Sequence, residues 1–159
     1  MKVAVIYYSC EGNCVLVADN MKTVFNADTF RIMTMDAKKR YGAGLMIWGC
    51  LQVFMKKKPA LAPLPVDINA YDLIILGTPV WAGSPAPAMV SFLENAKISG
   101  KKIALFCCHG GGPGAIFAKL RDLLQGNTIV GEISFKYPAK NESTDLKQRI
   151  KEWAKTFSA

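Results

Sequence analysis

Leu73-Ile74-Ile75-Leu76-Gly77 is an apolar run of strand length that ends in a Pro- and Gly-bounded loop, Thr78-Pro79-Val80-Trp81-Ala82-Gly83-Ser84. A run that is apolar at consecutive positions, not alternate ones, predicts a strand buried on both faces, as in a parallel sheet with helices above and below. Beyond the loop, Pro85, Met89, Phe92, Leu93 and Ala96 recur at helical spacing. Ser84 stands at the N-cap position of that helix and Pro85 at its first turn. The stretch is therefore a strand, a loop and a returning helix.

The same signature occurs twice more. Lys2–Tyr8 carries VAVIYY and Lys102–Cys108 carries IALFCC. Two other segments alternate, which predicts half-exposed edge strands. Thr29–Met33 alternates around Phe30 and Ile32. Thr128–Tyr137 sets Ile129, Ile133, Phe135 and Tyr137 on one side against Glu132, Ser134 and Lys136 on the other. Between strands lie three further helical faces: Cys14, Val17, Ala18, Met21 and Phe25; Ile116, Phe117, Leu120 and Leu124; and Leu146, Ile150, Trp153 and Phe157, capped by Ser143. Right-handed crossovers place these helices on both faces of the sheet. The result is a single α/β domain over 1–159: a doubly wound five-stranded parallel sheet of order 2-1-3-4-5 in a three-layer αβα arrangement. An insertion over about 38–66 separates strands 2 and 3, and its Pro59–Val66 part, PALAPLPV, reads as extended chain.

At 159 residues the chain can bury about 70% of its unfolded surface. Its longest apolar stretch, Tyr41–Met55, is broken by three glycines and falls short of a membrane span. The opening residues lack a cleavage site, so the reading is a cytoplasmic protein with no transmembrane segment. Five cysteines, an odd number, argue for free thiols. A zinc site from Cys10, Cys14, Cys108 and His109 fits metal-finger spacing poorly, and no metal is assigned. The net charge of +8 includes two dense clusters, Lys38-Lys39-Arg40 and Lys56-Lys57-Lys58. They serve either solubility or an acidic partner; no nucleic acid is assigned.

In a doubly wound sheet, ligands bind outside the carboxyl ends of the strands, at the switch between strands 1 and 3. Three loops meet there. Ser9-Cys10-Glu11-Gly12-Asn13-Cys14 runs straight from a strand into a helix, where backbone N–H groups form an anion site. No Lys or Arg occurs between Val3 and Met21, so a phosphate here would meet neutral donors and the helix dipole. In Thr78–Ser84, Trp81 either stacks on a flat heteroaromatic ring or packs over the end of the core. Cys108-His109-Gly110-Gly111-Gly112-Pro113-Gly114 lets backbone approach a ligand closely. His109, the only histidine, lacks a carboxylate partner in its own loop.

YYSCEGN, YDLIILGTPVWAGSPAPA and KKIALFCCHGGG together resemble the flavodoxin family over nearly the whole chain. The resemblance implies a flavodoxin-like fold and FMN as cofactor. It implies that Ser9, Gly12, Asn13 and Cys14, with the Glu11 backbone N–H, surround the phosphate. Thr78, Pro79, Val80, Trp81, Ala82 and Gly83 would line the flavin, and Cys108, His109, Gly110, Gly111 and Gly112 would touch its pyrimidine edge. The chain departs from the family in three ways: Glu11 and Cys14 stand where hydroxyls are usual, the charge is basic, and Lys38–Lys58 looks inserted.

A tyrosine phosphatase of low molecular weight also has a strand-loop-helix at such a cysteine, but it needs Arg six residues on, where Leu16 stands. Two redox readings remain, with no catalytic residue assigned. One is an electron-transfer protein serving redox partner proteins. The other is an NAD(P)H-dependent quinone or flavin reductase. A flavin-holding interaction module is a third. The 38–58 segment offers either a docking or homodimer surface, with Leu45, Met46, Ile47, Trp48, Leu51, Val53, Phe54 and Met55 rimmed by lysines, or a cover for an edge strand. An interfacial membrane helix is disfavoured, because the glycines weaken it and its charges sit at its ends.

Overall fold

The computed structural model describes residues 1–36, 42–141 and 145–157; Lys38, Lys39, Arg40 and the Ser143 cap lie outside them. The elements run β1 (Val3–Tyr8), α1 (Asn13–Phe25), β2 (Asp28–Ile32), α2 (Gly42–Phe54), β3 (Leu73–Trp81), β4 (Ser84–Pro85), α3 (Pro87–Ala96), β5 (Lys102–His109), α4 (Ile116–Leu123), β6 (Thr128–Lys136) and α5 (Asp145–Lys155). The parallel sheet has the order β2-β1-β3-β5-β6, with β4 pairing only to β3. Set β4 aside, and this is the 2-1-3-4-5 order expected.

Strict alternation along the buried strands divides the core. Ala4, Ile6, Ile74, Leu76 and Leu105 face α3 and α4, packing with Met89, Phe92, Ile116 and Leu120. Val3, Val5, Leu73, Ile75 and Phe106 face α1 and α5, packing with Val17, Met21, Ile150 and Trp153. Burial on both faces is what made these runs continuously apolar.

Two expectations are corrected. The alternation of β6 does not hold along one face. The register jumps from Ile103↔Ile129 to Ala104↔Gly131, leaving Val130 as a bulge. One extra residue reverses the side chains that follow. Ile129 therefore joins the α3–α4 side, while Ile133 and Phe135 join the α1–α5 side. The second correction concerns Ser84 and Pro85, which are not the start of a helix. They pair with Trp81 and Val80 as β4, and α3 begins at Pro87 with Ala86 as its cap. Pro87 takes the early-helix proline position that Pro85 was expected to hold.

The connection between β2 and β3 folds back on the domain. Leu45 is buried and Trp48 and Val53 are half-buried, whereas Met46, Ile47, Leu51, Phe54 and Met55 remain exposed. Residues 60–62 run antiparallel beside the chain just past β2, with Met35 N donating to Ala60 O at 2.9 Å and Ala62 N to Met33 O at 2.8 Å. These bonds lie around an antiparallel bridge between Thr34 and Leu61.

Candidate functional site

Register brings the three loops together. Tyr7 pairs with Gly77, and Pro79 with Cys108, so β1, β3 and β5 deliver their carboxyl ends to one edge of the sheet. Gly83 and Gly114 touch there: a β-carbon on Gly114 would stand 3.3 Å from Gly83 Cα.

The first loop is built by Ser9 and Gly12. Ser9 is buried, and its Oγ accepts the Gly12 N–H at 3.1 Å. Gly12 is the N-cap of α1 at φ +96°, a conformation natural to glycine, and no side chain caps the helix. No acidic residue lies in the first turn, so its N–H groups and the positive helix end are left for an anion. The space above Gly12 is open: a β-carbon there would meet nothing within 4 Å. Glu11 is exposed. Asn13 accepts the Ala139 N–H through Oδ1 at 3.1 Å, tying the loop to the segment after β6 and leaving its amide nitrogen to donate. Cys14 turns inward. Its thiol meets that of Cys108, and burial first, then Cys108, pushes it well above the usual thiol range. Cys14 therefore presents only its backbone N–H to the loop.

The second loop is a hairpin. Ala82 (φ +48°) and Gly83 (φ +68°) form a two-residue turn with both angles positive, joining Trp81 to Ser84. Thr78 builds it: the buried hydroxyl accepts from Ala86 N and donates to Pro79 O, each at 3.0 Å. Thr78 thus shapes the site with its side chain engaged. Trp81 is half-buried, edge-on to Tyr8 (5.8 Å between ring centres) and to Trp48 (5.6 Å).

The third segment begins as strand, since β5 continues through Cys108 and His109. Burial pushes the neighbouring Cys107 thiol up to about 12. The His109 backbone joins the segment after β6, its carbonyl accepting the Tyr137 N–H at 3.0 Å. Burial first, and the Lys136 ammonium second, hold its imidazole below the ordinary histidine value. Its Nδ1 is buried with no hydrogen-bond partner among the described residues, which marks a polar atom fit to meet a ligand. Gly111 is exposed and Gly112 stands at φ +141°.

Four residues join the site that the three loops did not include. Arg31 on β2 pairs with Tyr7 and donates to the Ser9 carbonyl at 2.9 Å, so a cation does stand behind the first loop. Tyr8 and Trp48 frame Trp81. Tyr137 lies over Gly110, where a β-carbon would fall 2.1 Å from its hydroxyl oxygen. The readable signal for Tyr137 was its place at the carboxyl end of the last strand, on the ligand edge of the sheet.

The donor set fits a phosphorylated, planar heteroaromatic group such as FMN. Ser9, Gly12 and the first turn of α1 would hold the phosphate, and an indole and glycine-lined backbone stand beside them for the ring.

Comparison with known proteins finds relatives of the same fold. The family model described as Flavodoxin matches residues 2–156. A protein of Gluconacetobacter diazotrophicus named NAD(P)H dehydrogenase (quinone) is 26% identical over 149 residues, covering 86% of this chain and 72% of that one. The flavoprotein of Lactobacillus acidophilus in complex with FMN has the same fold, with TM-score 0.73 at 21% identity over 96% of this chain and 98% of the other. A protein of Bacteroides eggerthii described as a candidate flavoprotein superposes with TM-score 0.80 at 19% identity, covering 99% and 98%.

Proposed function

The chain belongs to the flavodoxin family, and on that premise we propose that it holds FMN at the Ser9–Cys14, Thr78–Gly83 and Cys108–Gly112 segments and transfers electrons between redox partner proteins. When bound, FMN supplies one- and two-electron chemistry. The observation that carries the reading is the uncapped first turn of α1, with open space over Gly12 beside the Ser9 hydroxyl. Here the chain's own groups do the binding. Backbone N–H groups and Ser9 hold the phosphate, Arg31 adds positive potential from behind, and Trp81 and the 110–112 backbone orient the ring.

The carrier reading is supported by the rim, where Ala82, Gly111 and Gly114 are exposed and offer a partner direct approach. Tyr8, Thr34, Asp36, Trp48 and Gln52 line an open pocket between Trp81 and α2.

A second reading, an NAD(P)H-dependent quinone or flavin reductase, is favoured by the name of the Gluconacetobacter relative. Stopped-flow mixing of the FMN-loaded protein with NADPH separates the two. A carrier stays oxidised until a flavoprotein reductase is added. Rapid bleaching by NADPH alone, with turnover of a quinone, establishes the reductase instead.

A further inference from the structure

We propose that the outer face of α2 rests on an anionic lipid surface, with Lys56 and Lys57 at its edge. The face is Met46, Ile47, Cys50, Leu51 and Phe54, spaced as one side of a helix. Phe54 is 86% exposed, Met46 70% and Ile47 66%. Helix Gly42–Phe54 contains no charged residue, and its one strongly polar side chain, Gln52, turns toward the pocket beside Trp81. The opposite side is already used, since Leu45 and Gly49 are buried against the domain.

Charge decides the occupant. Between Asp36 and Asp67 the sequence holds six cations and no anion. The helix ends in a left-handed turn at Lys56 (φ +49°), closed by Lys57 N to Gln52 O at 3.0 Å and Lys56 N to Val53 O at 3.1 Å. That turn holds the exposed Lys56 and Lys57 at the end of the apolar face, beside Phe54. Lys58 is engaged with Glu94 at 3.0 Å. A second copy docked face to face would bring like charges together, because a two-fold interface uses the same patch twice. A protein partner is selected by hydrogen bonds around an apolar centre, and this face offers none across its width. Acyl chains ask only for apolar area, and anionic headgroups only for nearby cations.

The two sequence arguments against an interfacial helix fall away in the fold. Packing of Gly49 against the domain supports the glycine-weakened helix, and with one side covered by protein the cations belong at its ends. Among the described residues no helix is long and apolar enough to cross a membrane, so the contact is peripheral.

The test is co-sedimentation of the FMN-loaded chain with vesicles of phosphatidylcholine alone and of phosphatidylcholine with phosphatidylglycerol, at low and high salt. Light scattering reports the mass in solution. The expected result is at least tenfold stronger partitioning to anionic vesicles, weakened by salt. Leu51→Ser with Phe54→Ser should cut it at least tenfold, as should Lys56→Glu with Lys57→Glu, while circular dichroism and FMN content stay unchanged. Failure to bind anionic vesicles at low salt overturns the proposal and leaves the face to a protein partner. A dimer abolished by the Leu51 and Phe54 changes overturns it in favour of a second copy. Binding that survives loss of Leu51 and Phe54 overturns the role of the apolar face.

Discussion

Gly49 of α2 lies flat against the indole of Trp81: a β-carbon at Gly49 would stand 3.1 Å from Trp81 Cδ2 and 3.2 Å from Cε3. Helix α2 is thereby seated on the aromatic residue of the candidate site. Gly44, in the same helix, faces open space. Gly49→Val should overpack this contact and destabilise the protein by about 1–3 kcal/mol, with a change in Trp emission. Gly44→Ala should instead stabilise it by up to about 1 kcal/mol, because a helix gains from replacing glycine. Thermal melts of the two variants check the contrast.

The hairpin turn gives a prediction of opposite sense. Ala82 sits at φ +48°, where a β-carbon is strained, and glycine follows it. Ala82→Asn creates the Asn-Gly pair that this turn favours and should stabilise the chain by roughly 0.5–1 kcal/mol. Gly83→Ala should destabilise it by a similar amount or more. Urea titrations of both decide it.

Much of this architecture was legible, and the failures are local and physical. Continuous apolar runs mark strands covered on both sides, so β1, β3 and β5 could be placed by eye. The β4 hairpin could not, because Ala82-Gly83 lacks the usual Asn-Gly signal, and prolines at 85 and 87 offered two helix starts. The bulge at Val130 left no mark in composition. Within the site, the glycines and Trp81 announced themselves. Gly49 under Trp81 and Tyr137 over Gly110 are contacts between segments far apart in sequence, which no spacing rule contains. Arg31 was visible as an exposed edge-strand residue, but its reach to Ser9 depends on the register with Tyr7.

Thiol reactivity should follow burial. Cys14, Cys107 and Cys108 are buried, and burial raises the pKa values of Cys14 and Cys107, so their reactive thiolates are suppressed. Cys50 is exposed on α2. Maleimide labelling of the native protein at pH 7.5 should modify Cys50 first, with Cys14, Cys107 and Cys108 reacting only after denaturation. Rapid native labelling of Cys14 would contradict the buried contact with Cys108.

His109 should make the protein sensitive to acid. Its folded-state pKa lies below the ordinary value near 6.5, because burial and Lys136 disfavour the imidazolium. The unfolded chain therefore binds the proton more readily than the folded one. The stability tied to neutral His109 is fully present above about pH 6.5 and is lost as pH falls through the folded pKa. His109→Gln should remove that component, so its melting temperature should fall less than wild type's between pH 7.5 and pH 5.5. Equal losses in both proteins would place the sensitivity elsewhere.

The central claim is that the Gly12 turn at the start of α1 is a phosphate site serving a flavin. Calorimetric titration of the apoprotein with FMN and with riboflavin, repeated on Gly12→Ala, tests it most directly. The two ligands differ only in the phosphate, so FMN should bind at least tenfold more tightly. Gly12→Ala should erode that advantage while leaving riboflavin affinity nearly unchanged, because φ +96° disfavours a side chain even where space is open. Equal affinities for FMN and riboflavin in the wild-type protein would contradict the account.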